Sequence, residues 1–293
     1  MIYVVPLTFS LLCGIIQVEE VLYMLSNLKY PILLVHGMGF RDYKLVGYWG
    51  RIPKVLEQMG CKVFLGNQDS NADIETNAKH LAQRIDQIIA ETGAEKVNII
   101  AHSKGGLDSR YAISVLGAGA HVASLTTIST PHNGSKTVDV LLKFPKPLVK
   151  IGCFFTDCWF RILGDKKPAT YRAINAFKTT EAAQFNQRVP DYEKTYYQSY
   201  AFVMKKPSSD LFMWLTNLVV GKIEGENDGL LPPASVKWGE FKGVFTSVNN
   251  RGISHCDEID MRRRAFAKKG DSGVLDIIDV YKSIVADLQK RDF

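Results

Sequence analysis

Ser103, Asp228 and His255 have the residue types, and stand in the chain order, that acyl transfer requires. A serine hydroxyl is a poor nucleophile until a base takes its proton, and that base needs a third group to orient it. Ser103 falls in Val97-Asn-Ile-Ile-Ala-His-Ser-Lys-Gly-Gly-Leu-Asp-Ser-Arg110. The apolar run Val97–Ala101 has the length and composition of a buried strand, and a helix can follow the serine through Tyr111 and Leu116. Strand, sharp turn with serine at its apex, and helix make a nucleophile elbow, with Ala101 in place of the first glycine of G-x-S-x-G. Strand and helix approach so closely there that the positions two before and two after the serine must be small. Ala101 is the next-smallest choice and Gly105 meets the rule. Taken alone, the pentapeptide is also what a glycine-containing loop with an incidental serine would show.

Six histidines are available as the base. His36, His102 and His132 stand in turns, His80 in an amphipathic helix and His121 before a strand. His255, in Ile253-Ser-His-Cys-Asp-Glu258, sits on a polar loop after the last short strand, where the order Ser, acid, His places the base. The acid is assigned to Asp228 in Gly225-Glu-Asn-Asp-Gly-Leu-Leu-Pro232, with Glu226 and Asp210 as competitors. The developing oxyanion needs two N–H donors. One is assigned to Lys104, directly after the serine, and the other to Met38 in the His36-Gly37-Met38 turn. Because the backbone donates, the Met38 and Lys104 side chains are expected to line the mouth of the site.

The elements that must position these groups alternate. Strands are predicted at Tyr30–Val35, Cys61–Leu65, Val97–Ala101, Val122–Ile128, near Thr195–Val203 and at Phe245–Val248. Helices are predicted over Trp49–Met59, from an Asn71 or Asp73 cap to Gly93, and from a Ser272 cap through Leu288. In the second of these, Ile74, Ala78, Leu81, Ile85, Ile88 and Ile89 follow a 3.6 period. Such alternation argues for an α/β fold, a mostly parallel sheet with helices on both faces. No repeat or linker divides the chain, so one domain over 30–293 is expected behind an apolar, helical extension at 1–29. Two apolar stretches, Lys136–Arg172 and Asp210–Val220, break the alternation. Both are consistent with core helices; the first, a long insertion after the strand ending near Ile128, also fits a lid or cap.

The composition, 46% apolar and 23% charged over 293 residues, is that of an ordinary globular protein. The net charge of +6 is modest, and Arg262-Arg263-Arg264 with Lys268-Lys269 fits a solvated helix face, so no nucleic-acid partner is expected. Five cysteines without framework spacing fit free thiols in a reducing compartment, with one optional bridge. Residues 1–18 carry no charge, but they lack a basic n-region and a cleavage site, and Pro6 and Gly14 interrupt the run. A cytoplasmic or membrane-associated location is expected, with export left open.

Together the blocks Tyr30-Pro-Ile-Leu-Leu-Val-His-Gly-Met-Gly-Phe40, Tyr48-Trp49, Ile52-Pro53, Val97–Gly106, Thr126-Thr-Ile-Ser-Thr-Pro-His-Asn-Gly-Ser135, Asn227-Asp-Gly-Leu230 and His255-Cys-Asp-Glu258 resemble, in order, those of the bacterial true lipases. These are the family I triacylglycerol lipases of the α/β-hydrolase superfamily. The resemblance implies an α/β-hydrolase fold with a lid in part of 136–172, and hydrolysis of acylglycerol-type carboxylic esters. It implies an ester or lipid substrate met at a lipid–water interface, and no required cofactor. The family's calcium site uses the aspartate two residues after the base, which here is Asp257. Its second aspartate falls on Pro207-Ser208, with Asp210 nearby, and a glutamine ligand falls on Met261, so structural calcium is left with an incomplete ligand set. The same scaffold also carries short-chain carboxylesterases, acyltransferases, phospholipases and inactive binding proteins. The oligomeric state is left open.

Overall fold

The computed structural model describes residues 28–42, 47–270 and 272–293. The N-terminal extension, expected to be helical, therefore lies outside the described residues, except for its last two positions. Six strands, β1 (Ile32–Val35), β2 (Val63–Leu65), β3 (Val97–His102), β4 (Val122–Ile128), β5 (Tyr196–Phe202) and β6 (Glu240–Phe245), form one sheet in the order β2-β1-β3-β4-β5-β6. Every pairing is parallel.

Successive strand residues point to opposite faces of a sheet, and β1 shows the consequence. Ile32 and Leu34 enter one apolar layer with α1 (Ile52–Gln58) and the closing helix. Leu33 and Val35 enter the other with α2 (Ile74–Thr92) and α3 (Lys104–Ser114). Both faces are thus covered, which is why these strands are continuous apolar runs rather than alternating ones. α2 begins where the Asp73 side chain accepts the Thr76 N–H at 2.8 Å, and ends at Gly93, whose φ of +68° suits a residue without Cβ.

Beyond β4 lie α4 (Lys136–Leu141), α5 (Lys146–Ile162), α6 (Thr170–Asn175) and α7 (Thr179–Arg188). α8 (Trp214–Glu224), α9 (Pro233–Val236) and α10 (Ile277–Lys290) complete the described helices. The apolar stretches expected as core or lid are helical, but they are not core. α5 buries Cys153 alone and leaves Leu148, Ile151, Phe154, Phe155, Trp159 and Ile162 exposed. α8 buries Asn217 and Val220 and exposes Leu215 and Leu218.

Two boundaries move. The last strand is Glu240–Phe245, earlier than expected, because an edge strand tolerates Glu240, Lys242 and Gly243, which obscure its pattern. α10 starts under Asp276, in a capping box with Asp279, and not under Ser272. Val274 is still extended there, bridged to Ser247. No described helix is long and apolar enough to cross a membrane. Cys61, Cys153, Cys158 and Cys256 are free thiols.

Candidate active site

The strand order places β2 on one side of β1 and β3 on the other, so the connections leaving β1 and β3 diverge and open a crevice beyond their carboxyl ends. The β1 turn at His36–Met38 and the β3 turn at Ser103 meet in that crevice. Ser103 has φ +53° and ψ −130°, a conformation costing a non-glycine residue on the order of 1–3 kcal/mol. The surroundings hold it there. Its N–H donates to the Ile128 carbonyl at 2.9 Å, and its carbonyl accepts the Thr130 hydroxyl at 2.7 Å. A Cβ on Gly105 would stand 2.5 Å from the His36 carbonyl and 2.7 Å from that of Val35, both backbone atoms. One on Gly37 would stand 2.8 Å from the Ser103 Cβ. The small-residue rule at the elbow is therefore a packing fact, and Ala101 is fully buried beside it.

The two later loops deliver the other groups. His255 Nδ1 lies 2.8 Å from Asp228 Oδ2, and the His255 N–H donates to the Asp228 carbonyl at 2.8 Å. Asp228 Oδ1 accepts the N–H groups of Leu230 and Leu231, each at 2.8 Å. Burial alone would raise the Asp228 pKa; the charge and hydrogen bond of His255 and the two N–H donors outweigh it and hold the carboxyl below its ordinary value. The His255 ring centroid lies 4.3 Å from that of His102, the residue before Ser103. The competitors do not reach this point: Glu226 is exposed, and Asp210 accepts the Ser254 hydroxyl instead.

On the β1 turn, the Gly37 N–H is taken by the Tyr48 hydroxyl at 2.9 Å and the Gly39 N–H by Asn71 Oδ1 at 3.2 Å. Between them stands the N–H of Met38. Lys104 is the first residue of α3, so its N–H has no acceptor within the helix. The Lys104 side chain does not line the mouth as expected. It is 1% exposed and its ammonium contacts both Asp108 oxygens, at 2.7 and 2.8 Å. Burial nevertheless pushes the Asp108 carboxyl up to about 6. His36, with its ring nitrogens 2.8 Å from the Gly37 carbonyl and 3.0 Å from that of Gln68, is pushed down to about 4 by burial. It orders the turn as a neutral ring.

Glu258 was not singled out from the sequence, yet it is fully buried at the centre of the site. Its Oε2 lies 3.0 Å from His102 Nε2 and 3.7 Å from His255 Nδ1, and its Oε1 accepts the Ser129 hydroxyl at 3.0 Å. Burial and the neighbouring Asp228 carboxylate raise its pKa well above the ordinary value, which favours the protonated acid. Tyr48 completes the chain, its hydroxyl 2.6 Å from His102 Nδ1. The available signal was position: Glu258 follows His255 by one helical turn. His102, His255 and Glu258 have potential metal-ligand atoms within 4.8 Å of one another. Those atoms already serve the Tyr48, Asp228, Ser129 and mutual contacts, so the cluster is a hydrogen-bond chain and not a metal cage. Asp257, the expected calcium ligand, is bound by a guanidinium: Arg251 Nη2 lies 2.8 Å from its Oδ2.

The chain is similar to known proteins. The chain is 35% identical over 175 residues to the "Triacylglycerol lipase" of Pseudarthrobacter phenanthrenivorans, covering 55% of this chain and 54% of that one. It is 27% identical over 261 residues to "Triacylglycerol lipase 2" of Saccharomyces cerevisiae, covering 85% and 75%. With 54% and 48% of the first two bacterial relatives covered, the chain spans about half their length. Two solved structures share the fold. A metagenomic carboxyl esterase has a TM-score of 0.68 at 16% identity, covering 91% of this chain and 77% of that one. Staphylococcus hyicus lipase has 0.66 at 18%, covering 90% and 97%. The sheet is that of an α/β-hydrolase, and the palmitoyl protein thioesterase family model matches residues 31–250. On that match, which spans all six strands and the Ser103 and Asp228 loops and ends before His255, the chain belongs to the palmitoyl protein thioesterase family of α/β-hydrolases.

Proposed function

We propose that this protein is a serine ester hydrolase acting on lipid esters of the acylglycerol type. The observation that carries the reading is the buried Asp228–His255 couple, at 2.8 Å, set beside the strained Ser103 turn. Asp228 fixes the imidazole with Nδ1 protonated, which leaves Nε2 as the base for the Ser103 hydroxyl. Ser103 Oγ attacks the ester carbonyl, and the N–H groups of Met38 and Lys104 receive the charge that develops on its oxygen; one such donor is worth roughly 3 kcal/mol. The imidazolium, stabilised by Asp228, then protonates the leaving alcohol. An acyl-Ser103 ester remains. Water, deprotonated by His255, attacks it and releases the acid and the free serine.

The lipid character of the substrate rests on the exposed apolar side chains of α5 and on a second exposed apolar group, Leu211, Phe212 and Trp214, at the start of α8. Helical segments that leave this much apolar surface in water fit a lid that turns toward substrate at an interface. Both ends are anchored. Ser135 and Thr137 donate hydroxyl hydrogen bonds of 2.8 Å to Glu224 of α8. Asp165 accepts the N–H groups of Ser70 and Asn71 at 3.0 and 2.8 Å. The relatives named triacylglycerol lipases agree with this substrate class. A p-nitrophenyl ester series from short to long acyl chains, with and without an emulsion, tests the reading. Long-chain turnover that rises at the interface is expected, with Ser103→Ala inactive throughout; activity confined to short soluble esters would overturn the lipid assignment.

A further inference from the structure

The loop carrying His255 is held by an internal cation. Arg251 Nη2 lies 2.8 Å from Asp257 Oδ2 and 3.9 Å from Asp210 Oδ2, and its Nη1 donates to the Ser209 carbonyl. Two segments, Ser209-Asp210 and the loop of His255 itself, therefore converge on one guanidinium. Ser254 links the two carboxylates. Its hydroxyl donates to Asp210 Oδ2 at 2.6 Å, its N–H donates to Asp257 Oδ2 at 3.1 Å, and its oxygen accepts the Asp257 N–H at 3.1 Å. Ser254 and Asp257 bracket His255, so this knot fixes the backbone on either side of the imidazole. Asp257 is 1% exposed and Asp210 8%. Two buried carboxylates this close to one another need compensating positive charge. Arg251 supplies one, and Arg262, with Nε 3.8 Å from Asp257 Oδ1, supplies another.

The resemblance places a calcium ion at Asp257, and the residues present do not fit one. Calcium takes six or more oxygens. Asp210 Oδ1 is already occupied by the N–H groups of Phe212 and Met213, at 2.9 and 3.2 Å, and its Oδ2 by the Ser254 hydroxyl. Asp257 Oδ2 is occupied by Arg251 and by Ser254. Asp257 Oδ1 alone lacks a hydrogen bond, and Arg262 approaches it. Met261, where an amide ligand would be expected, offers a thioether, a poor partner for a hard cation. A divalent ion would also sit against two guanidinium groups.

We propose that Arg251 does the work that a calcium ion would otherwise do, as a positioning residue that holds the His255 loop without metal. Its effect on turnover rests on the ester-hydrolase reading above; its effect on stability does not, so the two can fail separately. The test compares wild type, Arg251→Met and Arg251→Lys in melting temperature and in ester-hydrolysis kinetics, each after chelation and with added calcium chloride. Wild type is expected to keep the same Tm and kcat under both conditions. Arg251→Met removes one partner of a buried ion pair and should lower Tm by about 5–10 °C, with kcat falling more than KM rises. Arg251→Lys keeps the charge and should recover part of both. A wild-type Tm that drops on chelation or climbs with calcium would overturn the proposal. So would an Arg251→Met protein with unchanged Tm, and should that variant fail to fold, the wild-type chelation result still decides.

Discussion

Glu258 shows how a single side chain's protonation becomes a property of the whole fold. Burial and the adjacent Asp228 carboxylate raise its pKa well above the ordinary value. The unfolded chain ionises it near the normal glutamate pKa of about 4.3, while burial in the native state favours its protonated form above that pH. The stability tied to this group is therefore fully present below about pH 4.3 and lost as pH rises toward the raised native value. Each unit in that window costs about 1.4 kcal/mol. Glu258→Gln, which is neutral in both states, should lose less stability than wild type between pH 5 and 8 in urea denaturation; parallel slopes would contradict the assignment. Ser103, Asp228 and His255 stand out in the sequence as candidates because chain order and loop chemistry constrain them, and the structure sets Asp228 against His255. Glu258 does not stand out, because its importance comes from Ser129 and His102, which reach it from distant strand ends.

At the scale of elements, the β3–α3 junction is held by close backbone packing. Gly105 has two backbone carbonyls within 2.7 Å of where a Cβ would stand, and backbone cannot yield as a flexible side chain can. Gly105→Ala should destabilise the protein by about 1–3 kcal/mol and disturb the Ser103 turn, lowering kcat more than KM. Chemical denaturation and steady-state kinetics on that variant check both effects, and wild-type values would refute the close approach. Helices with caps and a single apolar stripe were legible in the sequence: α2 has the predicted cap at Asp73 and stop at Gly93. The edge strand β6 was not, since its polar residues carry no period. α5 was ambiguous for a different reason. Its stretch is apolar, poorly periodic and interrupted by Pro145, Pro147 and Pro168, and the sequence does not say whether its apolar side chains meet protein or solvent.

At the scale of the molecule, the order β2-β1-β3-β4-β5-β6 gathers the site. It brings a turn after the first strand, a serine after the third and two late loops to the carboxyl end of the sheet. Alternating elements predicted the parallel sheet, and the ordered blocks from Tyr30 to Glu258 predicted its superfamily, which the family match over residues 31–250 bears out. The edge-to-edge order of the strands was not explicit in the sequence; it follows from connection handedness and from which faces the helices cover. The proposed chemistry requires His255 to activate Ser103 at this end of the sheet. Labelling with a fluorophosphonate, followed by intact mass and peptide mapping, tests it most directly. One adduct per chain on Ser103 is expected, absent in Ser103→Ala and formed at least about 10³-fold more slowly in His255→Ala. An unlabelled Ser103, or labelling that proceeds unchanged without His255, would contradict it.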